Sequence, residues 1–120
     1  MEDLILFDSE YKMMEIVWEN EPLRSGDLVK ICADRLDWKK STTYTVLKKL
    51  SEKGVLKNED STVTSLIAKE QVQETQSEQV VNKNFGGSLP AFVSAFLKKG
   101  NITKEEAKEL IDLIENNIEG

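Results

Sequence analysis

The stretch WKKSTTYTVLKKLSEKGVL, Trp38 to Leu56, gathers lysines and small hydroxyls in a chain that is otherwise acidic. Ammonium groups and hydroxyls with no neighbouring base make poor nucleophilic catalysts. Together they suit phosphate: lysine supplies charge, and Ser or Thr reaches phosphate oxygens and base edges without steric cost. From Arg35 to Lys57 seven basic residues (Arg35, Lys39, Lys40, Lys48, Lys49, Lys53 and Lys57) stand against two acids, Asp37 and Glu52, a local charge of +5. The whole chain carries −6, so the remainder carries −11. A basic face on an acidic body can still bind a polyanion, because physiological salt screens charges beyond roughly 8 Å.

Other chemistries are poorly served. The 120 residues include no histidine, which removes the commonest general base, the Ser–His and Cys–His pairs, and most zinc sites. The carboxylates are scattered along helical segments, as a solvated surface requires. An enzyme is not expected, and neither is a cofactor or metal. The single cysteine, Cys32, sits on an apolar stripe and reads as a small core residue in a reducing compartment. No run of about 18 apolar residues predicts a membrane span. The N-terminus MEDLILFDSE lacks the basic start of a secretory signal, so a cytoplasmic location is expected.

The elements that must hold the basic stretch follow from periodicity. Tyr11, Met14, Val17 and Trp18 recur at helical spacing behind Ser9 as N-cap, and Asn20-Glu21-Pro22 ends that helix. Ser25 caps a second helix with Leu28, Val29, Cys32, Ala33 and Leu36 inward, and Asp37-Trp38 breaks it. Ser41 caps a third, with Tyr44, Val46 or Leu47, and Leu50 inward, and Gly54 stops it. Val55-Leu56 begins a strand, Asn58 to Ser61 turns, and Thr62 to Ile67 returns.

Lys69 to Asn84 is polar and helix-prone, and Gly86-Gly87-Ser88 breaks it. Leu89-Pro90 opens a helix bearing Phe92, Val93, Phe96 and Leu97. Thr103 and Glu106 form a capping box for a last helix bearing Ala107, Leu110, Ile111, Ile114 and Ile118. The expected fold is mostly α with a small antiparallel β hairpin. Residues 1–70 form a winged helix-turn-helix and residues 71–120 a helical dimerisation region.

In a winged helix the third helix enters the DNA major groove. The expected DNA-facing residues are Lys39, Lys40, Ser41, Thr42, Thr43, Thr45, Lys48 and Lys49, with Lys57, Ser61 and Thr62 around the wing. The tail carries more apolar groups than short helices can bury alone. Phe92, Val93, Phe96, Leu97, Leu110, Ile111 and Ile114 are therefore expected to bury against a second copy, each contributing about 1.5–3 kcal/mol. A protein-docking winged helix without specific DNA binding is the rival class, and weak salt dependence would mark it.

EYKMMEIVWEN (Glu10 to Asn20), SGDLVKICADRLDWKKSTTYTVLKKLSEKGVL (Ser25 to Leu56) and VTSLIAKEQVQ (Val63 to Gln73) together resemble the penicillinase-repressor family of bacterial winged-helix regulators. That family includes β-lactamase, methicillin-resistance and copper-transport repressors. The resemblance implies a homodimeric repressor whose N-terminal domain reads an operator dyad in double-stranded DNA. It puts Lys40, Ser41, Thr42, Thr43, Thr45 and Lys49 on the recognition helix, and Lys57 and Ser61 to Thr64 around the wing. Glu59 and Asp60 depart from the usual basic wing, which shifts affinity onto the helix. It also implies inactivation by an inducer-activated protease that cuts before a phenylalanine, here Ala95-Phe96, with Ala95 where the β-lactam repressors have asparagine. The paired C-terminal cysteines of the copper-responsive branch are absent from this sequence.

Overall fold

Glu10 opens the structure chemically. Its carboxylate accepts from the backbone N–H of Phe7 at 2.8 Å, so helix α1 (Asp8–Asn20) starts behind Phe7 rather than behind Ser9. The computed structural model describes residues 5–118. Strand β1 (Leu23–Arg24) follows α1, then helices α2 (Ser25–Leu36) and α3 (Lys40–Glu52). Next come strands β2 (Leu56–Glu59) and β3 (Thr62–Ser65), and helices α4 (Lys69–Asn84), α5 (Leu89–Lys99) and α6 (Lys104–Asn117). Two compact units emerge, one extending to Gln79 and one beginning at Val80.

In the first unit α1, α2 and α3 surround a core whose centre is fully closed: Met13, Met14, Val17, Leu28, Cys32, Leu50, Val55, Val63 and Val72. The Met13-Met14 and Ile16-Val17 pairs give α1 one continuous apolar face. Tyr11 and Trp18 cover its edge with ring centroids 5.9 Å apart in a T-shaped arrangement. Val72 brings the first turn of α4 into the same core. The indicated serine caps fail at α2 and α3 as well. Ser25 and Ser41 lie inside these helices, and Arg24 and Lys39 hold the N-cap positions without a side-chain hydrogen bond. A cap contributes about 1 kcal/mol, too little to outweigh the register that the core sets.

The sheet has three strands, not the expected two. Its order is β1-β3-β2, antiparallel throughout, with Leu23 opposite Val63, Arg24 opposite Thr62, and Asn58 also opposite Val63. Two residues of β1 carry too little alternation to be read from sequence. The outer limits also tighten: Val55 precedes β2, and Leu66 and Ile67 follow β3. Asp60 and Ser61, at φ 51° and 61°, make a two-residue turn of the I′ type, whose twist matches the strands. Gly54, at φ 77°, ends α3 in the left-handed conformation that its missing Cβ permits. Three helices with this sheet form a winged helix.

In the second unit the Thr103 capping box is the one the sequence signals, and Ser88, read from sequence only as part of a break, caps α5 as well. Ser88 accepts from Ala91 N–H at 3.1 Å. Thr103 and Glu106 exchange both bonds of a capping box at 3.0 Å. Phe92 is half-buried against Phe85, with centroids 5.4 Å apart. Neither α5 nor α6 has a buried residue. Val93, Phe96, Leu97, Leu110, Ile111 and Ile114 are all exposed, as are Leu89, Leu113 and Ile118.

Candidate nucleic-acid interface

The third helix turns Thr43, Val46, Leu47 and Leu50 into the core. At 100° per residue, the stripe directly opposite holds Ser41, Thr45, Lys48 and Glu52, all exposed. Thr42 and Lys49 flank it on one side and Tyr44 on the other, also exposed. Two expectations are thereby corrected. Thr43 cannot face DNA: its side chain is fully buried, and its hydroxyl donates to the Lys39 carbonyl at 3.3 Å. Tyr44, expected inward, lies outside at 39 % exposure. The small Thr43 occupies the place where α2 and α3 come close, and the ring that would not fit there takes the surface. On α2, Ala33 is likewise exposed and Val29 only partly covered.

Packing also sorts the seven basic residues. Arg35 is bound to Glu19 of α1 at 2.8 Å, and that hydrogen-bonded carboxylate raises the guanidinium's pKa. Lys53 is bound to Glu10 at 2.6 Å. Lys57 lies 3.5 Å from Glu59 within the wing, an exposed pair of little energetic worth. Among the described residues Lys39, Lys40, Lys48 and Lys49 enter no ion pair. These four belong to one helix and its N-cap.

The N-terminus of α3 is open. Lys39 offers no side-chain acceptor, and no acid stands in the first turn. The N–H groups that begin this helix therefore point outward beside two lysines, an arrangement that attracts phosphate. The hydroxyls differ in what they can offer. Thr45 donates back to the Ser41 carbonyl at 2.9 Å, which leaves its oxygen as an acceptor. Ser41 and Thr42 make no side-chain hydrogen bond among the described residues and keep donor and acceptor free.

The wing presents Ser61 and Thr62 beside Glu59 and Asp60. Ser61 is exposed, and its carbonyl accepts from Ser25 N–H at 2.9 Å, which ties the turn to the start of α2. Through β1 the sheet also brings Arg24 opposite Thr62, exposed and without an ion pair among the described residues. Arg24 and Tyr44 are the two candidate contacts that sequence reasoning missed. Only strand pairing gives Arg24 its place, and only the α2–α3 packing gives Tyr44 its own.

Among the described residues there is no group of His, Cys, Asp and Glu side chains fit to hold a metal, and no helix long and apolar enough to cross a membrane. Burial pushes the Cys32 thiol up, partly offset by a hydrogen bond with Thr43. A thiol of that kind is a core group and not a nucleophile.

Comparison with known proteins agrees with this geometry. The chain is 25 % identical over 114 residues to the penicillinase repressor of Bacillus licheniformis, covering 92 % of this chain and 89 % of the relative. It is 22 % identical over 110 residues to the methicillin resistance regulatory protein MecI of Staphylococcus aureus, covering 88 % and 89 %. An uncharacterized 16.5 kDa protein of Latilactobacillus sakei is 30 % identical over 93 residues, covering 71 % and 64 %. The two named relatives are regulators and not enzymes. The penicillinase repressor family profile matches residues 6–116, nearly the full length. This chain belongs to the penicillinase repressor family.

Proposed function

We propose that this protein is a transcriptional repressor that occupies operator DNA as a homodimer, with α3 in the major groove. The observation that carries the reading is the set of four lysines on α3 and its N-cap, unpaired among the described residues, two of them at the open N-terminus of the helix and two further along it. Lys39 and Lys40 suit the phosphates at the groove edge. Ser41, Thr42 and Thr45 suit base edges and phosphate oxygens, and Lys48 and Lys49 extend the contact along the helix. From the wing Lys57, Ser61 and Thr62 suit a neighbouring phosphate, and Arg24 supplements them. A cytoplasmic location follows from contact with DNA.

The exposed apolar groups of α5 and α6 support pairing of the tails. Phe96, Leu97, Leu110, Ile111 and Ile114 in water would cost what their burial gains, and a second copy carries the same face. Two linked reading heads then span two half-sites of a dyad. Derepression proceeds by cleavage at Ala95-Phe96, where both residues are exposed on α5. An inducer-activated protease would be the partner for that step. Helical backbone does not fit a protease cleft, so the cut requires local opening of α5.

The test is binding to duplexes selected from genomic DNA, followed across a salt series. A repressor loses affinity steeply, with a log–log slope of about −0.9 per phosphate contact. A nearly flat salt response would reject the reading in favour of a protein-docking module. Mass spectrometry after induction tests the cleavage: an intact chain in derepressed cells rules it out.

A further inference from the structure

We infer that Lys53 is a positioning residue for DNA reading: gripped by Glu10, Ile5 and Phe7, it fixes the C-terminal end of α3 to the head of α1 and so sets the pose in which α3 meets a duplex. The inference rests on the DNA-binding reading above. Lys53 is the C-cap of α3, one helical turn beyond Lys49, and both side chains line one hollow with Phe7, Glu10 and Glu52. Their environments differ. Lys49 is exposed and unpaired among the described residues, whereas the Lys53 side chain is 26 % exposed.

An ammonium has three N–H bonds. For Lys53 the structure supplies two hydrogen-bond acceptors and an aromatic face. The Glu10 carboxylate lies at 2.6 Å, the Ile5 carbonyl oxygen at 3.3 Å, and the Phe7 ring centroid at 4.7 Å. Glu10 depends on this lysine in turn. Its residue is 1 % exposed, and its second oxygen has no partner among the described residues. Among the described residues Lys53 is thus its one cation, and the pair crosses 43 residues of sequence to join α3 to α1. The same N-terminal segment reaches α4, where the side chain of Gln76 accepts from Leu6 N–H at 3.1 Å. Residues 5–7 therefore link the end of the recognition helix to α4. Gly54 follows at once in the left-handed conformation, so α3 ends here, held by the buried Leu50 and Val55 and by this clamp.

A lysine used in this way is withdrawn from the duplex, and its removal has a signature unlike that of a phosphate contact. The decisive comparison uses the full-length chain carrying Glu10→Gln with Lys53→Met, which leaves no buried charge alone. Affinity for the selected operator and for a random duplex is measured across a salt series at a temperature where circular dichroism shows the native helix content. The expected result is an operator affinity lower by about tenfold, the worth of one good base contact. Random-duplex affinity and the salt slope stay unchanged, because only the pose of α3 is lost. Equal loss on both duplexes with a slope shallower by about one per reading head would make Lys53 a phosphate contact and overturn the proposal. Unchanged operator affinity in the folded double variant would overturn it too.

Should that variant fail to fold, Phe7→Ala decides instead. The Phe7 ring is 71 % exposed, so its loss leaves the core intact. Operator affinity should fall by about threefold with random-duplex affinity unchanged, and no change would reject the clamp. A wild-type chain that binds neither duplex would strike the DNA-binding reading itself, which keeps the two failures apart.

Discussion

The indole N–H of Trp18 donates to the carbonyl oxygen of Ile67 at 3.0 Å. This bond joins α1 to the segment leaving the wing, 49 residues later. It sets where β3 gives way to α4, and Glu21 reinforces it by accepting from Ser65 N–H at 2.7 Å. Trp18→Phe keeps most of the ring contact with Tyr11 and leaves the Ile67 carbonyl unpaired. A loss of about 1–2 kcal/mol is expected, measured by urea unfolding with helix content as the signal.

Thr42 and Thr43 are neighbours with opposite duties. Thr42→Ala should weaken operator binding by about five- to tenfold with no change in unfolding midpoint, since the residue is exposed and its hydroxyl free. Thr43→Val should do the reverse: lower stability through the lost Lys39 bond, with operator affinity nearly unchanged. Binding curves and denaturation of both variants check the pair. Equal losses of affinity would mean that α3 is rotated from the face described.

Lys49→Ala tests the charge on the same helix. Lys49 has no ion-pair partner among the described residues, so its removal should weaken specific and random duplexes alike. The salt slope should become shallower by about one per reading head. A slope that does not move would place Lys49 off the phosphates.

The wing turn holds Asp60 and Ser61 in left-handed conformations that glycine and asparagine adopt more readily. Asp60→Asn with Ser61→Gly should stabilise the chain by about 1 kcal/mol. It also removes one acid from the wing and should raise duplex affinity at low salt. Thermal unfolding and low-salt binding read the two effects separately.

Phe96→Glu and Ile114→Glu place a charge on exposed apolar positions of α5 and α6. Each should convert a dimer to a monomer in analytical ultracentrifugation and weaken operator binding, with native helix content retained. A variant that sediments unchanged would count against pairing of the tails.

Cys32 supplies a pH dependence. Burial raises its thiol pKa, so the folded chain keeps the proton where the unfolded chain releases it. The stability it contributes is present below the ordinary thiol pKa of about 8.5 and falls as pH rises above it. Cys32→Ala should flatten that decline relative to wild type in denaturant melts between neutral and alkaline pH. Alkylation of native Cys32 should be slow and should accelerate on unfolding.

Much of this protein was written into local sequence. The three helices, the stop at Gly54, the Thr103 capping box and the basic third helix follow from spacing, turn chemistry and short-range hydrogen bonds, which act over a few residues. Tertiary structure decided what those signals leave open. Arg35 and Lys53 belong to the same basic run as Lys39, Lys40, Lys48 and Lys49, and composition cannot separate them. Packing brings Glu19 to Arg35 and Glu10 to Lys53 across 16 and 43 residues, and among the described residues the other four stay unpaired. The same holds for Thr43 inside and Tyr44 outside, and for Arg24 on a strand too short to show alternation. Electrostatic pairing and close approach depend on distance in space, and only the assembled core sets that distance.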